Sequence, residues 1–411
     1  MDIQVVRGMR DLIGPDAILQ KKVEKNFETV FESFGYIPLY TPAVESFELF
    51  KVKGGAGEAI KEEIYYFKDK SERELGLRFE FTSSLARVAA TSQLKLPFKR
   101  YQIGEVYRYD RPQAKRYRAF NQADVDILGI KGLNAEIELM NIIRDCFESL
   151  GLKPKVIFNS RKLLNEIIES YAKGKEKEAM RVIDKIDKIG INGVKEELKK
   201  ISVKEELVDV INGNNIEKIT QIVGQASNGL EEINKFSELC KENNLDFIEF
   251  SVALARGFDY YTGIVFEVKL DDGPSVGGGG RFDKLIETYG GASTPAVGMG
   301  LGVSRIFDYL KEKNEKIKIN GIYLIGMGLE DNKLNEIANN FRKQGLICEI
   351  DLQQKSISKN FEYAQKKGFR CVGIIGSEEI KNNEISIKNL FNGMQFKTKL
   401  DFKKIKCIFE N

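Results

Sequence analysis

Between Arg161 and about Asn243 the chain changes its period. Lys and Glu alternate there with Ile and Leu spaced three and four apart, as in EKEAMRVIDKIDKIG and VKEELVDVI, the pattern of helices with one apolar stripe. The residues before and after read differently, with strand-rich stretches over Glu63–Gly129 and Phe247–Gly302. The block is therefore expected to be a helical insertion, residues 161–243, inside a strand-built domain formed by 1–160 and 244–311. A chain of 411 residues calls for two or three cores. The next one is expected after the polar run EKNEKIKIN, read as a linker over 312–319. Beyond it IYLIGM, LNEIANNFRKQG, ICEIDL, ISKNFEYAQKKG and CVGIIG alternate strand with helix, so residues 320–411 read as a small α/β domain ending in two short strands and a lysine-rich tail. At the other end, Leu19, Val23, Phe27, Val30, Phe31 and Phe34 mark one amphipathic helix, which Gly35 ends. Tyr36 to Val44, carrying Pro38 and Pro42, suits an edge or interface strand, and a further helix is expected over about Val303–Lys311.

The chain contains no histidine. Imidazole is thereby removed as general base, nucleophile partner and metal ligand, which excludes Ser-His-Asp and Cys-His hydrolases and HExxH metalloproteases. Reactions driven by positioning and charge, such as phosphoryl or nucleotidyl transfer, remain open. The five cysteines are odd in number and scattered without a CxxC pair, arguing against a disulfide framework or a zinc site. A net charge of +3 decides nothing about partners. No apolar run is long enough to cross a bilayer and MDIQVVRGMRD lacks the layout of a secretory signal, so a cytoplasmic protein is expected.

Three segments carry candidate chemistry. In FKRYQIGEVYRYDRPQAKRYRAFNQADVDILG two strand-like runs flank a basic loop. Ala123, Val125 and Ile127 share one face of the second run, and Gln122, Asp124 and Asp126 the other, giving a core side and a polar floor. Arg108 can lie over that floor, with Arg111, Lys115, Arg116 and Arg118 on or beside the loop for phosphates. A solvated basic hairpin would show the same pattern. In ALARGFDYYTGIVFEV, Arg256 opens a tight turn that presents Asp259, Tyr260 and Tyr261 before an alternating strand; an aromatic hairpin packed into a core is the competing reading. In GGGGRFDKLIETYGG and STPAVGMGLGVSRI, Gly298, Gly300 and Gly302 fall on one strand face, leaving a surface against which a flat base could lie, with Arg305 on the base's other side.

Together these segments resemble motifs 2 and 3 of class II aminoacyl-tRNA synthetases, specifically the histidyl-tRNA synthetase family. The resemblance covers nearly the whole chain: RGMRD and the Pro42 strand look like motif 1, ELGLRFEFTSSLAR like an amino-acid loop, RGFDYYTG and GGGGRFD like the histidyl signatures, and KSISKNFEYAQKKG with GSEEIKNNEISIKNL like the anticodon-binding fold. It implies an α+β catalytic domain built on an antiparallel sheet of the class II type, with a helical insertion, and a C-terminal α/β anticodon-binding domain. The implied activity is ATP-dependent activation of L-histidine to an adenylate, followed by transfer to the 3′ end of tRNA(His), with Mg²⁺ on the nucleotide phosphates, no metal held by protein side chains alone, and a homodimer.

Carried over by residue, the resemblance implies that Arg108 bridges the substrate carboxylate and the α-phosphate and that Arg256 approaches that phosphate from another side. Arg116 and Arg305 would hold the outer phosphates and the adenine, over Gly300 and Gly302. Glu80, Thr82 and Gln122 would take the ammonium group; Asp126 and Tyr261 would take the imidazole, with Asp124 an alternative to Asp126, and Tyr260 would also belong to the histidine site. The sequence departs from the family at Phe79, Asn121, Phe282 and Ser304, none of which removes a charge assigned to catalysis; Phe282 does lose a hydroxyl near the amino-acid pocket. The nearest alternative is a non-catalytic relative such as the regulatory subunit of ATP phosphoribosyltransferase, which resembles the catalytic core but normally lacks the C-terminal domain.

Overall fold

The computed structural model describes residues 3–54, 61–109, 117–183, 185–254, 260–271, 273–313 and 319–410. The first part of the chain forms α1 (Pro15–Ser33), β1 (Ile37–Pro38), β2 (Val44–Ser46), α2 (Phe47–Gly54), β3 (Tyr66–Lys68), β4 (Glu74–Leu77), α3 (Thr82–Thr91), β5 (Phe98–Tyr107), β6 (Ala119–Leu128), α4 (Asn134–Glu148) and β7 (Pro154–Ser160). Six helices follow: α5 (Arg161–Tyr171), α6 (Glu176–Ile183), α7 (Ile186–Lys200), α8 (Glu206–Gly213), α9 (Ile216–Val223) and α10 (Asn228–Glu242). The chain then returns to strand in β8 (Ile248–Phe250), β9 (Ile264–Leu270) and β10 (Ser275–Arg281), and continues through α11 (Leu285–Thr288), β11 (Ala296–Leu301) and α12 (Val303–Glu312).

Eight of these strands make one sheet in the order β1-β5-β6-β11-β10-β9-β7-β8. Its six central strands are antiparallel neighbours, while the short outer strands β1 and β8 pair in parallel with β5 and β7. The edge reading of Tyr36–Val44 holds for Ile37–Pro38; Val44 instead begins β2, in a separate three-stranded sheet with β4 and β3. One face of the large sheet is apolar: Ala123, Val125, Ile127, Val297, Met299 and Leu301 are all buried there. Strand alternation sends the intervening residues to the other face, which carries the site.

Two expectations need correction. TSSLARVAAT, within the stretch read as strand-rich, is α3. Leu85 and Ala86 on that helix are buried with Leu128, Phe282, Leu285 and Ile286, so burial of a short apolar stripe decides its conformation. The lysine-rich tail also forms a helix, Phe402–Glu410, because Ile405 and Phe409 give it an apolar face.

The helical block begins directly from β7. Ser160 caps α5 by accepting from the backbone N–H of Lys162 and Leu163, and donates its hydroxyl hydrogen to Glu232 on α10 at 2.5 Å. Lys162 closes on the same carboxylate at 2.6 Å. Phe236 of α10 packs against Phe158 of β7 with ring centroids 4.8 Å apart.

The C-terminal unit contains β12 (Ile319–Met327), α13 (Asp331–Lys343), β13 (Ile347–Ile350), α14 (Ile357–Lys367), β14 (Phe369–Gly376), α15 (Ser377–Asn382), β15 (Glu384–Asn389), β16 (Gln395–Lys399) and α16 (Phe402–Glu410). Its sheet order is β13-β12-β14-β15-β16. Each face has its own core. Ile322 and Leu324 pack with Phe341 of α13 and Phe409 of α16, whereas Tyr323 and Ile325 pack with Ala364 of α14. No helix among the described residues is long and apolar enough to cross a membrane.

Candidate active site

The site is laid out by strand register. Arg100 on β5, Asp126 on β6, Gly298 on β11 and Gly280 on β10 lie opposite one another in one cross-strand row; Gln102, Asp124, Gly300 and Gly278 form the next. Directly opposed residues of an antiparallel pair share a face, so three polar residues of β6 and their partners on β5 meet a floor of glycines. The sequence reading of that floor needs revision at two positions. A Cβ on Gly298 would stand 1.9 Å from Asp126 Oδ1, and one on Gly300 would stand 2.4 Å from Gln122 Nε2. Polar side chains of β6 therefore occupy the space above both glycines. At Gly302 the nearest atoms are Val276 O at 3.2 Å and the Arg305 stem at 3.5 Å. On β10, Gly280 leaves room for the Tyr261 ring, which would lie 3.0 Å from an added Cβ.

Arg100 is completely buried, and its Nη2 lies 2.6 Å from Asp126 Oδ2. The alignment is poor for a hydrogen bond, and all three guanidinium nitrogens lack one; the contact is a charge pairing. Asp124 is different. It accepts from Gln122 Nε2 at 2.7 Å, and burial lifts its carboxyl to about 7 despite the nearby Arg100.

Glu80, also buried, accepts from the backbone N–H of Thr82 at 2.6 Å and of Ser83 at 3.0 Å, so it caps α3. Its charge acts on Asp124, Tyr260 and Tyr261, which places all four in one pocket. The two phenol rings lie together, their centroids 4.5 Å apart, and burial pushes Tyr261 up to about 12 and Tyr260 well above its ordinary value.

The basic groups stand elsewhere. Arg108, just past β5, donates from Nε to Phe79 O at 3.2 Å, and its guanidinium carbon lies 5.1 Å from the centre of the Phe120 ring. Arg305, in the first turn of α12, donates to Ser275 O at 2.6 Å. From Gly298 beneath Asp126 to Gly302 beside Arg305 is four residues of extended strand, roughly 13 Å. The polar sheet face thus carries carboxyls and phenols toward Gly298 and a guanidinium toward Gly302, suited to a molecule with a donor-rich group at one end and an anionic group at the other. Arg116 and Arg256, both expected at the anionic end, lie outside the described residues, as do Arg111, Lys115 and Asp259.

Sequence reasoning missed Arg100. Its signal was present, since Arg100 and Gln102 alternate with Tyr101 just as Asp126 and Asp124 alternate with Val125, but only the register makes them partners. It also missed a second buried pair. Arg281, at the end of the glycine run, makes two bonds to Glu136 at 2.6 and 2.7 Å and donates to Ile130 O and Gly132 O, tying β10 to the start of α4. Burial raises Glu136 even though Arg281 opposes the shift.

Comparison with known proteins gives a consistent result. Residues 8–306 match the family model described as histidyl-tRNA synthetase, and 320–406 match that of an anticodon binding domain. A histidine–tRNA ligase from Helicobacter pylori (strain HPAG1) is 34% identical, over 99% of this chain and 98% of its own. The crystal structure of histidyl-tRNA synthetase from Nostoc sp. PCC 7120 superposes with a TM-score of 0.83 at 25% identity, covering 99% of this chain and 100% of its own. A structure from Bacillus halodurans C described as an ATP phosphoribosyltransferase regulatory subunit/histidyl-tRNA synthetase shares the fold at TM-score 0.74 and 19% identity, covering 91% of this chain and 97% of its own. With one family model spanning most of its length and a relative above 30% identity along nearly all of it, this chain belongs to the histidyl-tRNA synthetase family.

Proposed function

We infer that the protein is a histidine–tRNA ligase, activating L-histidine with ATP and transferring it to tRNA(His). The observation that carries this reading is the polar sheet face, with buried carboxyls and half-buried phenols toward Gly298 and Arg305 beside Gly302, in a chain of the histidyl-tRNA synthetase family. In the first step a carboxylate oxygen of histidine attacks the α-phosphorus of ATP. The bond from that phosphorus to the bridging oxygen breaks, and pyrophosphate leaves. In the second, a hydroxyl of the terminal tRNA ribose attacks the acyl carbon and AMP leaves. The first step needs no imidazole from the protein, because its nucleophile is already ionised; in the second, the proton of the ribose hydroxyl passes to a phosphate oxygen of the departing AMP.

Arg108 is assigned to the gap between the substrate carboxylate and the α-phosphate, where fixed positive charge favours the transition state. Arg256 is assigned to the same phosphate, and Arg116 and Arg305 to the outer phosphates and the adenine beside Gly302, since Gln122 already fills the space over Gly300. Glu80, Thr82 and Gln122 are assigned to the ammonium group, the imidazole lying at the end lined by Asp124, Asp126, Tyr260 and Tyr261. Among the described residues no three His, Cys, Asp or Glu side chains converge to hold a metal. Mg²⁺ is assigned to the nucleotide phosphates, where it would neutralise charge. The C-terminal unit is assigned to the tRNA anticodon, and the working state to a cytoplasmic homodimer; exposed Ile37, Tyr40 and Val44 on and after the edge strand β1 support an interface there.

Amino-acid-dependent ATP–pyrophosphate exchange tests the reading. Exchange is expected with histidine and not with proline, threonine or glycine. Absence of exchange with every amino acid would sink it.

A further inference from the structure

We propose that Arg10 is a positioning residue for the nucleotide: it clamps the base of the β5–β6 hairpin to α12, so that Arg108 and Arg305 are held at a fixed spacing. The proposal rests on the histidine–tRNA ligase reading above, which assigns those two arginines to ATP, and adds a residue that acts through them.

The segment RGMRD reaches two elements at once. Met9 N–H donates to Val6 O at 2.9 Å, closing a turn with Gly8 at φ +84°, a left-handed value that favours glycine. The Gly8 carbonyl then accepts from Arg118 N–H at 2.7 Å, on the second leg of the hairpin. Two residues on, the Arg10 guanidinium carbon lies 3.8 Å from the centre of the Tyr117 ring and 5.0 Å from that of Phe307. Its Nη1 donates to Asp308 Oδ1 at 2.6 Å. One side chain thus bridges the hairpin and α12.

The contact is shielded from water. Asp308 and Phe307 are buried and Arg10 is half-buried. Among the described residues, Arg10 Nη2 and Asp308 Oδ2 are sealed without a hydrogen bond, so the clamp consists of one charged bond and the aromatic faces. A cation on a ring in a partly desolvated place is held more firmly than an exposed one.

Both ends of the clamp lead to the site. Arg118 accepts on its carbonyl from Arg108 N–H at 2.8 Å, so the bond from Gly8 steadies the strand end from which Arg108 projects. Asp308 follows Arg305 by one turn of α12. Other ties support the same elements: Tyr109 N–H donates to Glu63 O at 2.8 Å on the first leg, and Asn121 N–H donates to Ser304 Oγ at 3.0 Å. These keep the hairpin folded without Arg10, so its loss loosens the spacing of the two arginines. The histidine end is held separately, by the register of β5, β6 and β11 and by Glu80 at the start of α3.

The test is ATP–pyrophosphate exchange by the full-length protein, with KM for ATP and for histidine measured separately, and urea unfolding alongside. Arg10→Ala is expected to lower kcat/KM for ATP roughly tenfold, less than the ~100-fold that an ångström of misplacement costs, while KM for histidine moves by less than about threefold. Asp308→Ala should give the same selective loss. Arg10→Ala/Asp308→Ala should be no worse for ATP than either single variant, because all three break one clamp. It should also resist urea better than either, since it strands no charge; an ATP defect that persists while stability returns separates positioning from support of the fold. Arg10→Lys keeps a charge for Asp308 without the flat guanidinium and should recover part of the loss; it serves for the same readings if Arg10→Ala does not fold. Wild-type kinetics in Arg10→Ala, equal losses for ATP and histidine, or losses that multiply in the double variant overturn the proposal. Failure of the underlying reading looks different: the wild type would show no histidine-dependent exchange at all.

Discussion

Replacing Gly298 with alanine adds one methyl group to the middle of the sheet, and the structure fixes what it meets. The new carbon would stand 1.9 Å from Asp126 Oδ1, 2.6 Å from Asp126 Cγ and 3.0 Å from Val125 O. Comfortable carbon contacts begin near 3.5 Å, so the carboxyl would have to retreat by roughly 1.5 Å. It is pinned by Arg100 at 2.6 Å, and the Val125 carbonyl is backbone. Either the strands part, at the ~1–3 kcal/mol usual for overpacking, or the ion pair breaks, at ~3–5 kcal/mol for stranding one buried charge. A loss of about 3 kcal/mol is expected in urea unfolding at pH 7.5. Gly302→Ala is the control, since its nearest atoms stand at 3.2 and 3.5 Å, and it should cost under ~1 kcal/mol. In an Arg100→Leu/Asp126→Asn background the cost of Gly298→Ala should fall by about half, because the neutral side chain is free to move. A Gly298→Ala protein within ~0.5 kcal/mol of wild type would refute the reasoning.

Glu136→Gln should destabilise by up to ~3 kcal/mol, because the buried Arg281 would lose its two-bond partner and keep only Asp283, at 3.1 Å, as counter-charge, whereas Glu136→Leu/Arg281→Leu should cost less. Urea unfolding compares them, and equal losses would count against the pair. Asp124 has a raised folded-state pKa, so its contribution to stability is full below the unfolded value of 3.8 and is lost as pH rises through about 7. At 1.36 kcal/mol per unit this spans about 4 kcal/mol, and Asp124→Asn should therefore gain on the wild type between pH 4 and pH 8; a difference constant across that range would contradict it. Arg256→Ala should depress histidine activation strongly with the fold intact by circular dichroism, and unchanged exchange kinetics would remove Arg256 from the mechanism.

Much of this was legible in the sequence where periodicity was strong. The alternation around Val125 separates core from polar floor because β6 lies between two long antiparallel partners, and period two then holds along its whole length. The helical block was legible for the matching reason at a period of 3.6. Short elements were not. TSSLARVAAT and the lysine-rich tail become helices through burial of a few side chains against partners distant in sequence, information that local pattern does not contain. The Arg100–Asp126 pair depends on the register between β5 and β6, and a shift by one residue would have moved Arg100 to the opposite face. The glycines at 298 and 300 were visible as a stripe, but what fills the space above them belongs to a neighbouring strand.

The way the helical block joins the sheet bears on how far this chain can be shortened. It leaves from the end of β7 and returns to the start of β8, and these strands run in parallel: Val156 faces Ile248 and Phe158 faces Phe250. The exit and re-entry points therefore lie at opposite ends of the sheet, and no tight turn can join them; a parallel connection needs a dozen or more residues and usually a helix. A minimised protein that replaced residues 161–243 with a flexible loop would lose the element that spans the sheet. The helix to retain is α10, whose Phe236 already rests on Phe158 and whose Glu232 is held by Ser160 and Lys162; α6 to α9 are the segments open to excision.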